Sequence, residues 1–162
     1  MPLIPIVDED DNIIEYVERS ERRSDQIYRV AALWITNSQG EILIAQRHRS
    51  KKHHPLLWWP AAAGTVEKDE SYLENIIRET AEEIGISWIN PILGPKTQTT
   101  SGYLHFTQWF TIVLDKKIWE FSPARDEVES LRWITSEALK KEFTQSPDDF
   151  VPSFSLIHPL FL

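Results

Sequence analysis

Three glutamates, Glu79, Glu82 and Glu83, stand at positions i, i+3 and i+4 of one segment. At about 100° per residue that spacing gathers their carboxylates in one sector of a helix, beside its apolar face rather than opposite it. The arrangement is locally unfavourable. Like charges so spaced cost a helix roughly a few tenths of a kcal/mol per pair, and the negative end of the helix dipole lies close by. A cation among them removes both penalties. Carboxylate oxygens are hard donors suited to Mg2+ or Mn2+, which commonly take one or two carboxylates together with waters and phosphate oxygens. A glutamate pair on a helix is more often a solvated face, so the cluster gains weight only from its setting.

Two other groups could contribute chemistry. The run Arg47-His48-Arg49-Ser50-Lys51-Lys52-His53-His54 is the dense basic stretch of an acidic chain. Arg47 ends a β-rich segment and offers planar, bidentate hydrogen bonds to an anion, whereas Lys51 and Lys52 act as point charges. Asp126, Glu127 and Glu129 form a second acidic cluster, in which Glu127 is the choice for an extra metal ligand or general base. His53 and His54 lack further ligand partners and read as incidental. Trp58, Trp59, Tyr103, Phe106 and Trp109 are candidates for stacking on a planar group, although tryptophans at this density are more often core.

The elements that must position these residues follow from periodicity and turn chemistry. Ser71 with Glu74 makes a capping-box start, Gly85 is a natural stop, and the period between them is helical. Leu73, Ile76, Ile77, Thr80 and Ile84 share the face expected to be buried. Upstream, 4–7 and 13–17 predict a hairpin across the acidic turn 8–12, and 18–26 a charged surface helix or loop. Residues 30–36 and 41–46 predict paired strands around the Asn37-Ser38-Gln39-Gly40 turn. Downstream, Pro91, Gly94 and Pro95 predict a loop, 103–114 and 130–134 strands, 135–141 a capped short helix, and 147–162 a packing tail read as a last helix. Strands mixed with two or three helices argue for an α/β sandwich around a mixed sheet.

With 162 residues, 41% of them apolar, the chain fits one compact domain with a sizeable core. Lys+Arg 17 against Asp+Glu 25 gives a net charge of −8, which disfavours long nucleic acids as partners. The absence of cysteine excludes disulfides, thiolate catalysis and sulfur-ligated zinc. No apolar run approaches the roughly 20 residues needed to span a bilayer, and the start turns acidic too soon for a signal peptide. The expected location is the cytoplasm, with no membrane partner and a homodimer as one admissible assembly.

Gly64, Glu70, Arg78, Glu79, Glu82, Glu83, Gly85 and Ile86 reproduce the pattern G-x5-E-x7-R-E-U-x-E-E-x-G-U, with U aliphatic, at every position except Thr80. The segment 64–86 therefore resembles the Nudix box. That resemblance implies one Nudix domain over 1–162, an α/β/α sandwich with a mixed β-sheet. Residues 1–28 would be an N-terminal hairpin and lead-in, and 143–162 a C-terminal packing segment. It also implies Mg2+- or Mn2+-dependent hydrolysis of a small-molecule diphosphate. By the same resemblance, Glu79, Glu82 and Glu83 are catalytic metal-ligand positions, and the carbonyl of Ala63 joins the metal shell. Glu70 and Arg78 pair to orient the ligands, Gly64 permits a tight backbone turn, and Gly85 ends the helix. Arg47, Lys51 and Lys52 become the substrate clamp. Two positions depart from the usual pattern. The methyl of Thr80 can replace an aliphatic side chain, and Asp69, where glycine is frequent, alters the loop without touching the ligands.

Val7-Asp8-Glu9-Asp10-Asp11, the 47–52 segment, Pro55 and Trp58 resemble the isopentenyl-diphosphate isomerase-like branch, from Ile4 to about Leu139, as does the tail Phe150-Val151-Pro152-Ser153-Phe154. The isomerase itself needs a cysteine just before the box glycine and histidines upstream and just after it. Here Ala63 and Thr65 take two of those places, and no histidine precedes His48. The acid–base pair for carbon is missing, whereas hydrolysis needs only metal and water. The expected function is a pyrophosphohydrolase acting on a nucleoside diphosphate or related organic diphosphate. Its rivals are an isomerase and a non-catalytic nucleotide-binding module, and the latter typically loses box glutamates that this chain retains.

Overall fold

The computed structural model describes residues 2–162. In chain order its elements are β1 (Leu3–Val7), β2 (Ile13–Glu18), β3 (Tyr28–Thr36), β4 (Ile42–Arg47), β5 (Trp58–Pro60), β6 (Ala62–Thr65), α1 (Tyr72–Ile84), β7 (Ile92–Thr99), β8 (His105–Val113), β9 (Val128–Ile134), α2 (Ser136–Gln145) and α3 (Phe154–Phe161). Side-chain alternation along β3 decides the layering. Ala31, Leu33 and Ile35 enter one buried cluster, Ala32 and Trp34 another. A strand buried on both faces needs cover on both. Ile76 and Ile84 of α1 supply it on the first face. Leu139 of α2 and Phe154 and Ile157 of α3 supply it on the second. The result is the α/β/α sandwich with a mixed sheet.

The sheet has the order β5-β4-β3-β8-β7, with β6 also on β3 and β9 also on β4. β3 and β8 run parallel, and their neighbours are antiparallel. The strands expected to pair around Gly40 do so at Thr36 and Ile42 and then part. β3 turns to β6, setting Gly64 opposite Ala31, while β4 turns to β5 and β9, setting Arg47 opposite Val128. That parting opens the space in which the acidic helix residues meet the end of β4. β1 and β2 form a separate two-stranded hairpin, joined to the rest of the fold by a bridge between Val7 and Ile27.

Several expectations change. The charged segment 18–26 is a short 3-10 turn, Arg19–Glu21, followed by a loop. Gly94 and Pro95 lie within β7 at a register shift, not in a loop. β7 is an edge strand, where a missing N–H does no harm, and a side chain at 94 would crowd the Trp109 carbonyl at 3.1 Å. Leu73 is exposed, and Tyr72 packs against the core instead. Trp58–Pro60 and Ala62–Thr65, given no element from the sequence, form β5 and β6. Trp109 and Phe106 are buried and unavailable for stacking. Trp109 packs edge-on to Phe161 at 5.3 Å. Among the described residues no helix is long and apolar enough to cross a membrane.

Candidate active site

α1 begins where the sequence says it must. The Ser71 side chain accepts from the Glu74 backbone N–H at 3.1 Å, and Glu74 accepts from the Ser71 N–H at 2.7 Å. It ends on Gly85, left-handed at φ 74°, where a Cβ would press on Ser122 at 2.7 Å. Asn75, Ile76, Thr80 and Ile84 are its buried positions. Thr80 fits as an aliphatic substitute because its hydroxyl donates to the Ile76 carbonyl at 2.6 Å, leaving the methyl to the core.

Glu79 and Glu83 sit beside that buried face. Glu83 accepts from the Ala63 N–H at 3.2 Å. Glu79 lies against Gly64 so closely that a methyl there would overlap its carboxyl group. Gly64 is thus required for space. It sits within β6, and the tight turn expected of it is not what the position provides. Burial, and then the charge of Glu79, push Glu83 up to about 8, with Glu127 adding to the rise. Glu79 is pushed up to about 7 by burial, against the pull of Arg78 and with the charges of Glu82, Glu70 and Glu127 behind it.

Arg78 ties the box together. Its Nε donates to Glu70 at 2.8 Å, Nη1 to Glu82 at 3.1 Å, and Nη2 lies 3.2 Å from Glu79. Glu82 is therefore turned to Arg78 at the rim, its side chain 59% exposed, and does not join Glu79 and Glu83 inside. Glu70 is held further by the Glu67 N–H at 3.0 Å and by Asn75 Nδ2 at 2.9 Å, which also reaches the Thr65 carbonyl. Asn75 escaped the sequence reading. The available signal was a polar residue on the buried side of the wheel. Asp69 adopts φ 62°, a left-handed conformation in which glycine is at ease and aspartate is tolerated.

The opposite wall comes from the end of β4 and the start of β9. Lys51 Nζ lies 2.5 Å from a Glu127 carboxylate oxygen. A small cavity of about 50 Å³ is lined by Arg47, Ala63, Glu83 and Glu127 among others. Of the acidic residues Asp126, Glu127 and Glu129, Glu127 alone lines it. Glu129 is taken up by Arg49, which holds its carboxyl down at about 2, and Asp126 is exposed. Lys52 is exposed and joins none of these contacts. Arg47, whose Nε donates to the His53 carbonyl at 3.0 Å, is lowered by burial against the opposing charges of Glu127 and Glu83.

Among the described residues no three acidic or histidine side chains already converge on a single point. The donor set nevertheless suits a hard cation. Burial raises the proton affinities of Glu79 and Glu83, and the negative charge of Glu127 adds to both, so a cation held among the three is favoured.

Comparison with known proteins agrees with this geometry. The NUDIX domain family model matches residues 26–154. An uncharacterized Nudix hydrolase of Yersinia pestis is 28% identical over 155 residues, covering 92% of this chain and 79% of that protein. One from Listeria innocua is 30% identical over 136 residues, covering 81% of this chain and 76% of that protein. A crystal structure from Deinococcus radiodurans superposes with a TM-score of 0.85 at 20% identity and covers 99% of both chains, a likeness of fold.

Proposed function

The chain belongs to the NUDIX family and is a Nudix hydrolase, and from that premise we propose that it cleaves the diphosphate linkage of a nucleoside diphosphate or related organic diphosphate in a Mg2+- or Mn2+-dependent reaction. The observation that carries this reading is the pair Glu79 and Glu83, one turn apart on α1, largely covered and raised to about 7 and 8, with Arg47 and the Lys51–Glu127 pair opposite them. The two glutamates and the Ala63 carbonyl would hold the cation, with Glu82 adding a carboxylate from the rim. A bound divalent ion supplies neutralising charge and a more acidic water.

The chain's own residues divide the remaining work. Arg47 binds the diphosphate oxygens with its free guanidinium N–H groups, and Lys51 keeps Glu127 oriented over the cavity. Glu127 takes the proton from the attacking water. The water oxygen forms a new bond to one phosphorus, the bridging P–O bond breaks, and the departing phosphate leaves with the electron pair. Gly64, Glu70, Arg78 and Asn75 fix the rotamers that this requires. An isomerase finds no support, because Ala63 and Thr65 cannot pass a proton to or from carbon. A location in the cytoplasm accords with the chemistry of the substrate.

A panel of nucleoside diphosphates, nucleotide sugars, dinucleotides and prenyl diphosphates, assayed with and without Mg2+, tests the reading. Metal-dependent release of a phosphorylated product from at least one is expected. Turnover of none of them, or turnover indifferent to chelator, would overturn it.

A further inference from the structure

Among the described residues, ion pairs occupy Arg23, Arg29, Arg49, Arg78 and Arg132. Among the same residues, Arg19, Arg22, Arg47 and the exposed Arg125 have no carboxylate within salt-bridge distance. In a chain of net charge −8 arginines find acids easily, so a gathering of unpaired ones calls for another anion.

Arg47 and Arg22 are linked by a continuous run of contacts. Arg47 holds the His53 carbonyl at 3.0 Å. His53 Nδ1 is hydrogen-bonded to the Tyr103 hydroxyl at 3.0 Å. The Arg22 guanidinium lies 5.6 Å from the Tyr103 ring centroid and 4.7 Å from that of Tyr28, which stacking favours. Arg22 is also fixed from behind, its Nη1 donating to the Arg23 carbonyl at 2.9 Å and the Gln26 carbonyl at 3.1 Å. Its Nε and Nη2 meet no acceptor among the described residues. Arg19 opens the 3-10 turn Arg19–Glu21 that Arg22 closes, and a spacing of three in such a turn sets both side chains on one face; its charge also bears on Arg47 and Tyr28. The loop that carries His53 holds two non-glycine residues in the left-handed region, His54 at φ 52° and Leu56 at φ 62°, and strain of this kind collects at binding sites.

We propose that Arg19 and Arg22, the latter seated on Tyr28 and Tyr103, form a second anion subsite beside Arg47, taking a phosphate-type group carried on the organic part of the substrate. This rests on the reading above for the diphosphate itself, but the affinity of the subsite for an anion does not. Arg22 is reached from Arg47 by way of His53 and Tyr103, so the two cationic positions are separate. The substrate class is a diphosphate with a further anionic substituent.

The test is a titration of the metal-free protein with inorganic phosphate, following the arginine Nε–Hε signals by NMR. The Arg22 signal is expected to shift saturably and the Arg125 signal to stay put. Arg19→Gln, whose side chain makes no structural hydrogen bond, should weaken the Kd read at Arg22 roughly tenfold, as loss of a charged hydrogen bond does. Arg22→Lys, followed at the Arg19 signal, should weaken it less. An Arg22 signal that moves no more than that of Arg125, or a Kd unchanged by Arg19→Gln, overturns the subsite. Hydrolysis assayed in parallel separates the two ideas. Intact hydrolysis with no phosphate effect sinks the subsite alone, and absent hydrolysis with the phosphate effect sinks the reaction alone.

Discussion

Glu83 and Glu129 both lie beside Glu127, one across the cavity and one in sequence, yet their carboxyls behave oppositely. Burial next to Glu79 pushes Glu83 up to about 8, while Arg49 holds Glu129 at about 2. The outer acid is complete within the protein, since a guanidinium neutralises it in the folded chain. The inner pair is unfinished, because the fold buries two carboxylates and brings them no dedicated cation of their own. Arg78 leans mainly on Glu70, and Lys51 bonds Glu127. A region whose charge is balanced is structural, and one whose charge is left to a ligand is functional.

The most forceful way to break this contrast is Glu83→Gln. It should lower Mg2+-dependent hydrolysis by at least about 100-fold, beyond what loss of a supporting partner costs. The metal-free variant should be no less stable than the parent in urea at pH 8, because the change removes a repelling charge. Severe destabilisation there would mean that Glu83 is structural. Next in size is Gly64→Ala, whose methyl must displace Glu79. A stability loss of about 1–3 kcal/mol is expected from the overlap, together with a fall in kcat, and an unchanged kcat would remove Glu79 from the chemistry.

The pH dependence sharpens the comparison. Glu79 and Glu83 titrate at about 7 and 8 in the folded protein against an ordinary 4.5. Between those values the folded state binds more protons than the unfolded one, so metal-free stability should be present at low pH and be lost as pH rises from about 4.5 through 8. Glu129 works the other way, its contribution present above about 4.5 and lost as pH falls towards 2. Urea midpoints from pH 5 to 9 measure the first effect, and Glu83→Gln should flatten them. The smallest change expected is Asp69→Gly. It should relieve a left-handed aspartate by up to about 1 kcal/mol and leave kcat untouched, as thermal and kinetic assays would record.

Much of this was legible in the sequence, for identifiable reasons. α1 announced itself by a local capping box and an apolar period, both independent of the rest of the chain. Glu127 could be singled out because its neighbours offered a cluster, although only the fold shows Arg49 withdrawing Glu129 from it. β7 was hidden because glycine and proline punctuate most strands, and only its edge position excuses them. The space-filling reason for Gly64 depends on where a side chain of α1 lands, which spacing alone does not contain. Arg19 and Arg22 were unreadable for the same cause. Nothing in 18–26 signals that Tyr103, some eighty residues away, comes to rest beside Arg22.

Calorimetric titration of the metal-free protein with Mn2+ at pH 7, in buffers of differing ionisation heat, addresses the unfinished pair most directly. Binding accompanied by release of about one proton or more is predicted, since the cation must displace protons from Glu79 and Glu83, and the release should fall to about half a proton, that of Glu79, in Glu83→Gln. Binding with no proton release, or no binding of Mn2+ or Mg2+ at all, would contradict the account.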